Sequence, residues 1–195
     1  MIYNEKIQKA IRFAVKTHEV YQKQKRKGKD IPYITHPLTV GFILARAGAS
    51  EDVIVAGILH DTMEDSIPEK KVTREMLAVR FGESVANLVE SVTEQRKDLP
   101  WVERKKEALD HIKTFSKESN LLKSADVLAN TTEIVEDYQR NGEAIFERFN
   151  GPKSRLLKNY VDVITALTEQ NKENPLAEDL RNVGRDIQAI SSQTI

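Results

Sequence analysis

The sequence predicts an all-α protein on two observations. Apolar residues recur at helical spacing in most windows of the chain, and no stretch alternates apolar with polar residues over a run enriched in β-branched types. Composition agrees: of 195 residues 39% are hydrophobic and 31% charged, with only 8 Gly and 6 Pro. That mixture suits helices with one buried and one charged face.

The elements follow in order. Ile7, Ile11, Phe13, Ala14 and His18 form a helical stripe, so residues 4–22 are expected to make a first helix, with His18 a core or boundary histidine able to support a nearby site. A basic loop over residues 23–30 ends at Pro32. His36 then enters an apolar helix over 36–47, where Pro37 suits the first helical position. Gly48 and Ser50 break the chain, and Ser50-Glu51-Asp52 supplies an N-cap and an acidic first turn for a helix running to about Glu64. Pro68 stops it. Two short helices divided near Phe81-Gly82 fill 72–92, and a polar loop over 93–100 is of the kind that covers a site. Helices are expected over 101–115, 121–138 and 154–170, the last after the Asn150-Gly151-Pro152 breaker, and a final one begins at Asn174-Pro175.

Several classes of protein are excluded. There is no Cys, which removes disulfide scaffolds, iron–sulfur clusters, zinc fingers and thiol catalysis. Thirty Lys and Arg balance thirty Asp and Glu, so no cationic surplus favours nucleic acid. The N-terminal residues are too polar for a signal peptide and no apolar run approaches a membrane span, which predicts a cytoplasmic location. Neither a P-loop nor a dinucleotide-binding glycine motif occurs, so any phosphates must be held by metal and side chains.

Chemistry concentrates in His60-Asp61-Thr62-Met63-Glu64-Asp65. On one continuous helix, four-residue spacing sets His60 beside Glu64 and Asp61 beside Asp65, all within about 140° of arc. The preceding residues Val53 to Leu59 are apolar, so three carboxylates and an imidazole at the end of a buried helix would repel one another unless a cation sat among them. Imidazole and carboxylate without thiolate suit Mn²⁺ or Fe²⁺ better than zinc. Two further motifs supply donors of the same kind: Pro32-Tyr-Ile-Thr-His36-Pro37, and Lys123-Ser-Ala-Asp126-Val-Leu-Ala-Asn130, where a carboxylate among apolar residues needs a partner.

The order His36, His60-Asp61, Asp126 resembles the signature of the HD superfamily of metal-dependent phosphohydrolases, and PYITHPL, ILHDTMEDS and KSADVLAN narrow the likeness to the hydrolase domain of RelA/SpoT enzymes. The likeness runs from the first helix to about residue 170, leaving a helical extension over 171–195. It implies one HD-type helical bundle over the whole chain, and 195 residues leave no room for synthetase or regulatory domains, as in the small alarmone hydrolases. It implies that His36, His60, Asp61 and Asp126 hold a divalent metal, usually Mn²⁺, and that Glu64 and Asp65 are the catalytic pair. Lys25, Arg26, Lys97, Arg104, Asn130 and Tyr160 match substrate-binding positions. The sequence departs from the family where Val127 and Ala129 replace an Arg and a His, which bears on metal tuning and substrate preference.

The implied reaction is hydrolysis of the 3′-diphosphate of a guanosine or adenosine alarmone, with release of pyrophosphate. Five cations within residues 23–29 would steer such a polyanion inward. Other nucleotides, as in a 5′-nucleotidase or an NADPH phosphatase, are the alternative within the superfamily, and a non-catalytic nucleotide-binding module the alternative outside it. The chain alone does not choose guanine over adenine, nor an oligomeric state.

Overall fold

In a computed structural model, residues 4–94, 96 and 98–193 are described. They fall into two compact units, Met1–Gln95 and Arg96–Ile195. The all-α expectation holds: among the described residues the only extended pairing is an isolated bridge between Lys25 and Pro32.

In the first unit, helix α1 (Glu5–Val15) starts where the Asn4 side chain accepts the Ile7 N–H at 3.1 Å. The helix expected to run to residue 22 instead widens into a π-helical stretch, Lys16–Tyr21. There Gln22 N–H reaches Thr17 O, five residues back, at 3.1 Å, while the Thr17 hydroxyl donates to Phe13 O at 3.0 Å. This side-chain bond competes for the carbonyls that regular helix geometry would use. Thr17 and His18 are both buried there.

Lys23 then takes a left-handed conformation (φ 51°) and turns the chain back, so that Gln24 N–H meets His18 O at 2.9 Å. The basic segment is a tight hairpin: Arg26 N–H donates to Ile31 O (2.8 Å) and Tyr33 N–H to Gln24 O (3.0 Å). Helix α2 (Thr35–Arg46) follows, with Pro37 third in the helix rather than first. The first turn has no intrahelical use for that N–H either, so the ring is equally tolerated.

Helix α3 (Glu51–Leu59) is the centre of this unit, packed on α1, on α2 and on α6 (Glu83–Val92). Every residue from Val53 to Leu59 is buried, and each large apolar one contributes about 1.5–3 kcal/mol. Gly41 permits the approach of α2, since a Cβ there would meet Ile58 Cγ1 at 2.7 Å. Ser50 stands at the N-cap in extended conformation, but its hydroxyl makes no capping bond. The start of α3 is instead tied to α1 by Lys6 and Asp52, 2.5 Å apart. That hydrogen bond holds the Asp52 carboxyl below its ordinary range, against a burial effect of opposite sign.

The helix expected to reach Glu64 ends at Leu59. A short helix, α4 (Thr62–Asp65), resumes after a turn at His60-Asp61 and leads to a 3₁₀ turn, Pro68–Lys70. Helix α5 (Arg74–Phe81) and α6 are divided at Gly82, whose φ of 96° few side chains adopt.

The second unit begins with α7 (Trp101–Ile112) and α8 (Lys117–Asn141), the latter longer than expected at both ends. A 3₁₀ stretch, Gly142–Arg148, separates it from α9 (Lys153–Gln170), and α10 (Ala177–Ser192) packs on α8 and α9. Leu122, Leu157, Leu167, Leu180 and Ile187 are fully buried at its centre. Among the described residues no helix is long and apolar enough to cross a membrane.

Candidate metal and hydrolytic site

The turn after α3 arises because side chains take the last carbonyls of the helix. His60 Nδ1 lies 2.8 Å from Gly57 O, and the Thr62 hydroxyl donates to Leu59 O at 2.7 Å. At Asp61 the backbone has moved to φ −92°, ψ −6°. His60 and Asp61 therefore do not share one regular helix face with Glu64 and Asp65, as continuous geometry would require.

Donation of Nδ1–H to Gly57 O fixes the His60 tautomer and directs the Nε2 lone pair at Asp61 Oδ2, 3.0 Å away. His36 Nε2 lies 3.7 Å from the same oxygen, and the two imidazole centroids are 5.2 Å apart. Both rings are about 5% exposed. The Tyr33 hydroxyl donates to Asp61 Oδ2 at 2.5 Å and orients the carboxylate. Two imidazole nitrogens facing one carboxylate oxygen are an arrangement that a proton or a divalent cation relieves, and imidazole with carboxylate is a donor set that fits a divalent metal.

The two acidic groups of the short helix meet separate donors. Asp65 Oδ2 accepts from the Gln24 side-chain amide at 2.9 Å, and Glu64 Oε2 faces Glu94 N–H at 3.4 Å. Both carboxylates are half-buried.

In the second unit Asp126 is 8% exposed on α8, and its local partners answer the need of a buried carboxylate: Lys123 Nζ at Oδ2 and Asn130 Nδ2 at Oδ1, each 2.7 Å. Asn130, matched above to nucleotide binding, thus holds Asp126. Val127 and Ala129, where the sequence departs from the family pattern, are buried apolar residues of the same helix. Arg104 and Tyr160 are half-buried on α7 and α9, two helices that pack together. Lys97 lies outside the described residues. Trp101 carries the Arg155 guanidinium over its ring at 5.7 Å, a packing role.

On the hairpin Lys25 is paired with Asp30, and the Arg26 guanidinium stands 5.5 Å over the Tyr33 ring. Sequence reasoning missed two groups here, Tyr33 and Gln24. Tyr33 stands in the PYITHP motif, which is a sequence signal for it, whereas Gln24 stands among cations and carries no such signal.

Comparison with known proteins adds an independent line. The HD domain family model matches residues 10–153, crossing both compact units. Over 130 residues the chain is 38% identical to a guanosine-3′,5′-bis(diphosphate) 3′-pyrophosphohydrolase, MESH1, of Xenopus tropicalis, covering 66% of this chain and 69% of that protein. It is 47% identical over 89 residues to a guanosine-3′,5′-bis(diphosphate) 3′-pyrophosphohydrolase of Aquifex aeolicus, a match that spans 46% of this chain and 12% of that longer protein. A solved structure described as a metazoan ortholog of SpoT that hydrolyzes ppGpp superposes with a TM-score of 0.74 at 26% identity, covering 94% of this chain and 96% of the other.

Proposed function

The chain belongs to the HD domain family, and we propose that it is a metal-dependent 3′-pyrophosphohydrolase of guanosine or adenosine nucleotides that carry a 3′-diphosphate. One observation carries this reading: His36 and His60 direct Nε2 at a single Asp61 oxygen, with Glu64 and Asp65 within one turn. We take residues 1–195 as one HD hydrolase domain with its motif core over about 4–170, and Asp126 as the fourth ligand with His36, His60 and Asp61. The family model's run across both units supports that assignment.

A divalent cation on these four side chains, Mn²⁺ in our reading, would lower the pKa of water and offset charge on the phosphoryl oxygens. The rest falls to the chain's own groups. Glu64 accepts a proton from the attacking water, and Asp65 orients that water beside it. Attack at the phosphorus joined to the 3′ oxygen breaks the bond between them. Pyrophosphate leaves, and the ribose keeps a 3′-hydroxyl after the oxygen takes up a proton.

Arg26 and Lys25 on the hairpin, with Arg104, Lys97, Asn130 and Tyr160, serve the phosphates and the ribose. The substrate is a small nucleotide rather than nucleic acid, consistent with zero net charge, and the protein works in the cytoplasm.

The test is Mn²⁺-dependent product release from ppGpp, ppApp, NADPH and nucleoside 5′-monophosphates, with Asp61→Ala in parallel. Pyrophosphate from an alarmone, absent in the variant, is the expected result and also decides the base. Orthophosphate from NADPH or a monophosphate would replace the substrate while keeping the site, and activity that survives Asp61→Ala would remove the metal assignment.

A further inference from the structure

Beyond the four ligand positions and the acidic pair, one line of side chains in the first unit has no part in the reaction as described. It starts in the core. His18 is completely buried in the π-helical stretch, and its Nδ1 lies 3.0 Å from Gln24 Oε1. Gln24 Nε2 donates to Asp65 Oδ2 at 2.9 Å. His18 Nε2 is buried without a hydrogen-bond partner, so the ring's one polar contact is spent on Gln24.

The line has a single consistent polarity. If Nδ1–H donates to Oε1, the amide must turn its NH₂ to Asp65. The opposite flip would set Oε1 against a carboxylate oxygen and NH₂ against N–H. The backbone of Gln24 is held on both sides as well, donating to His18 O at 2.9 Å and accepting from Tyr33 N–H at 3.0 Å. Widening of α1 into a π-helical turn and the left-handed Lys23 are what bring this residue back over the helix end.

We infer that Gln24 is a positioning residue for Asp65, and that His18 sets the orientation of the Gln24 amide. The inference rests on the proposed role of Asp65. The chemical logic is that a neutral amide fixes a carboxylate without neutralising it. A lysine or arginine at the same place would hold the carboxylate more tightly but lower its capacity to accept a hydrogen bond from water. Gln24 therefore orients Asp65 without itself neutralising its charge.

Steady-state kinetics with ppGpp and Mn²⁺ test this on four variants. Gln24→Met keeps the length of the side chain and removes the donor. It should lower kcat about tenfold, the scale of one hydrogen bond to a charged group, while KM and the melting-point shift produced by Mn²⁺ stay within about twofold of wild type. Gln24→Glu, which opposes two carboxylates, should lose more. The His18 pair separates orientation from packing. His18→Phe fills the buried space without a donor and should lose rate, whereas His18→Asn, whose amide nitrogen overlies Nδ1, should restore most of it; a structural role would give the reverse order.

A readout free of turnover uses the side-chain amide resonances of Gln24 in the metal-free protein, which should move in Asp65→Ala and in His18→Phe. Full activity in Asp65→Ala would overturn the reading of Asp65 itself. Loss in Asp65→Ala with unchanged kcat in Gln24→Met, or with stationary Gln24 resonances, would overturn this inference and leave that reading intact.

Discussion

At the scale of single residues, the site is organised by pairing each carboxylate with a different kind of donor. Asp61 receives a phenol hydroxyl and faces two imidazoles, Asp65 receives an amide, and Glu64 faces a backbone N–H at 3.4 Å. The role proposed for Glu64 is to take a proton from the attacking water and release it. Replacing it with Gln should leave metal affinity unchanged while lowering kcat by about 10²–10⁴. Titration of Mn²⁺ by calorimetry beside the rate assay checks both halves, and a variant that loses the metal would make Glu64 a ligand instead. The imidazoles and carboxylates proposed as ligands stand out in the sequence because those groups carry their chemistry wherever they stand. The donors that hold them were not. A tyrosine and a glutamine are common on surfaces, and only folding shows which of them reaches a carboxylate.

At the scale of elements, both units depend on polar bonds placed where helices end. In the first, His60 and Thr62 use the terminal carbonyls of α3, which converts a continuous apolar helix into a turn that presents Asp61. Periodicity could not reveal that break, since the apolar pattern before it and the four-residue spacing after it are both helical. In the second unit a buried amide network locks the segment between α9 and α10. Asn120 Nδ2 donates to Leu167 O and Gln170 Oε1, and Asn174 Nδ2 donates to Asn120 Oδ1 and Ser124 Oγ, at 2.7–3.0 Å. The Asn174 oxygen also caps Leu176 N–H at 2.8 Å. Asn174→Ala strands buried partners on α8 and should cost about 2–3 kcal/mol, measurable as a lower urea midpoint with unchanged slope. The sequence marked Asn174-Pro175 as a helix start, yet the depth of its side chain was visible only once α8 and α9 were in place.

For the whole molecule, the proposed ligand set of His36, His60, Asp61 and Asp126 predicts how metal and stability are linked. Binding of Mn²⁺ to the folded state alone should raise the thermal midpoint as concentration rises, by about 2.7 kcal/mol of stability at a hundredfold excess over Kd. The shift should vanish in His36→Ala and equally in Asp126→Ala, as read by differential scanning fluorimetry with EDTA controls. A shift retained in Asp126→Ala would confine the metal to the first unit and remove Asp126 from the ligand set.

The sequence by itself determined the all-α class, most helix positions and the identity of the ionisable groups, because helical periodicity and side-chain chemistry are local properties carried by every window of the chain. Tertiary structure decided which group each carboxylate meets. Gln24 lies 41 residues from Asp65 and Tyr33 lies 28 from Asp61, and no local pattern encodes which polar atoms will close such distances. That choice was made by the π-helical end of α1, the left-handed turn at Lys23 and the halt of α3 at Leu59. At both helix ends side chains compete for backbone carbonyls, a competition that the folded chain resolves as a whole.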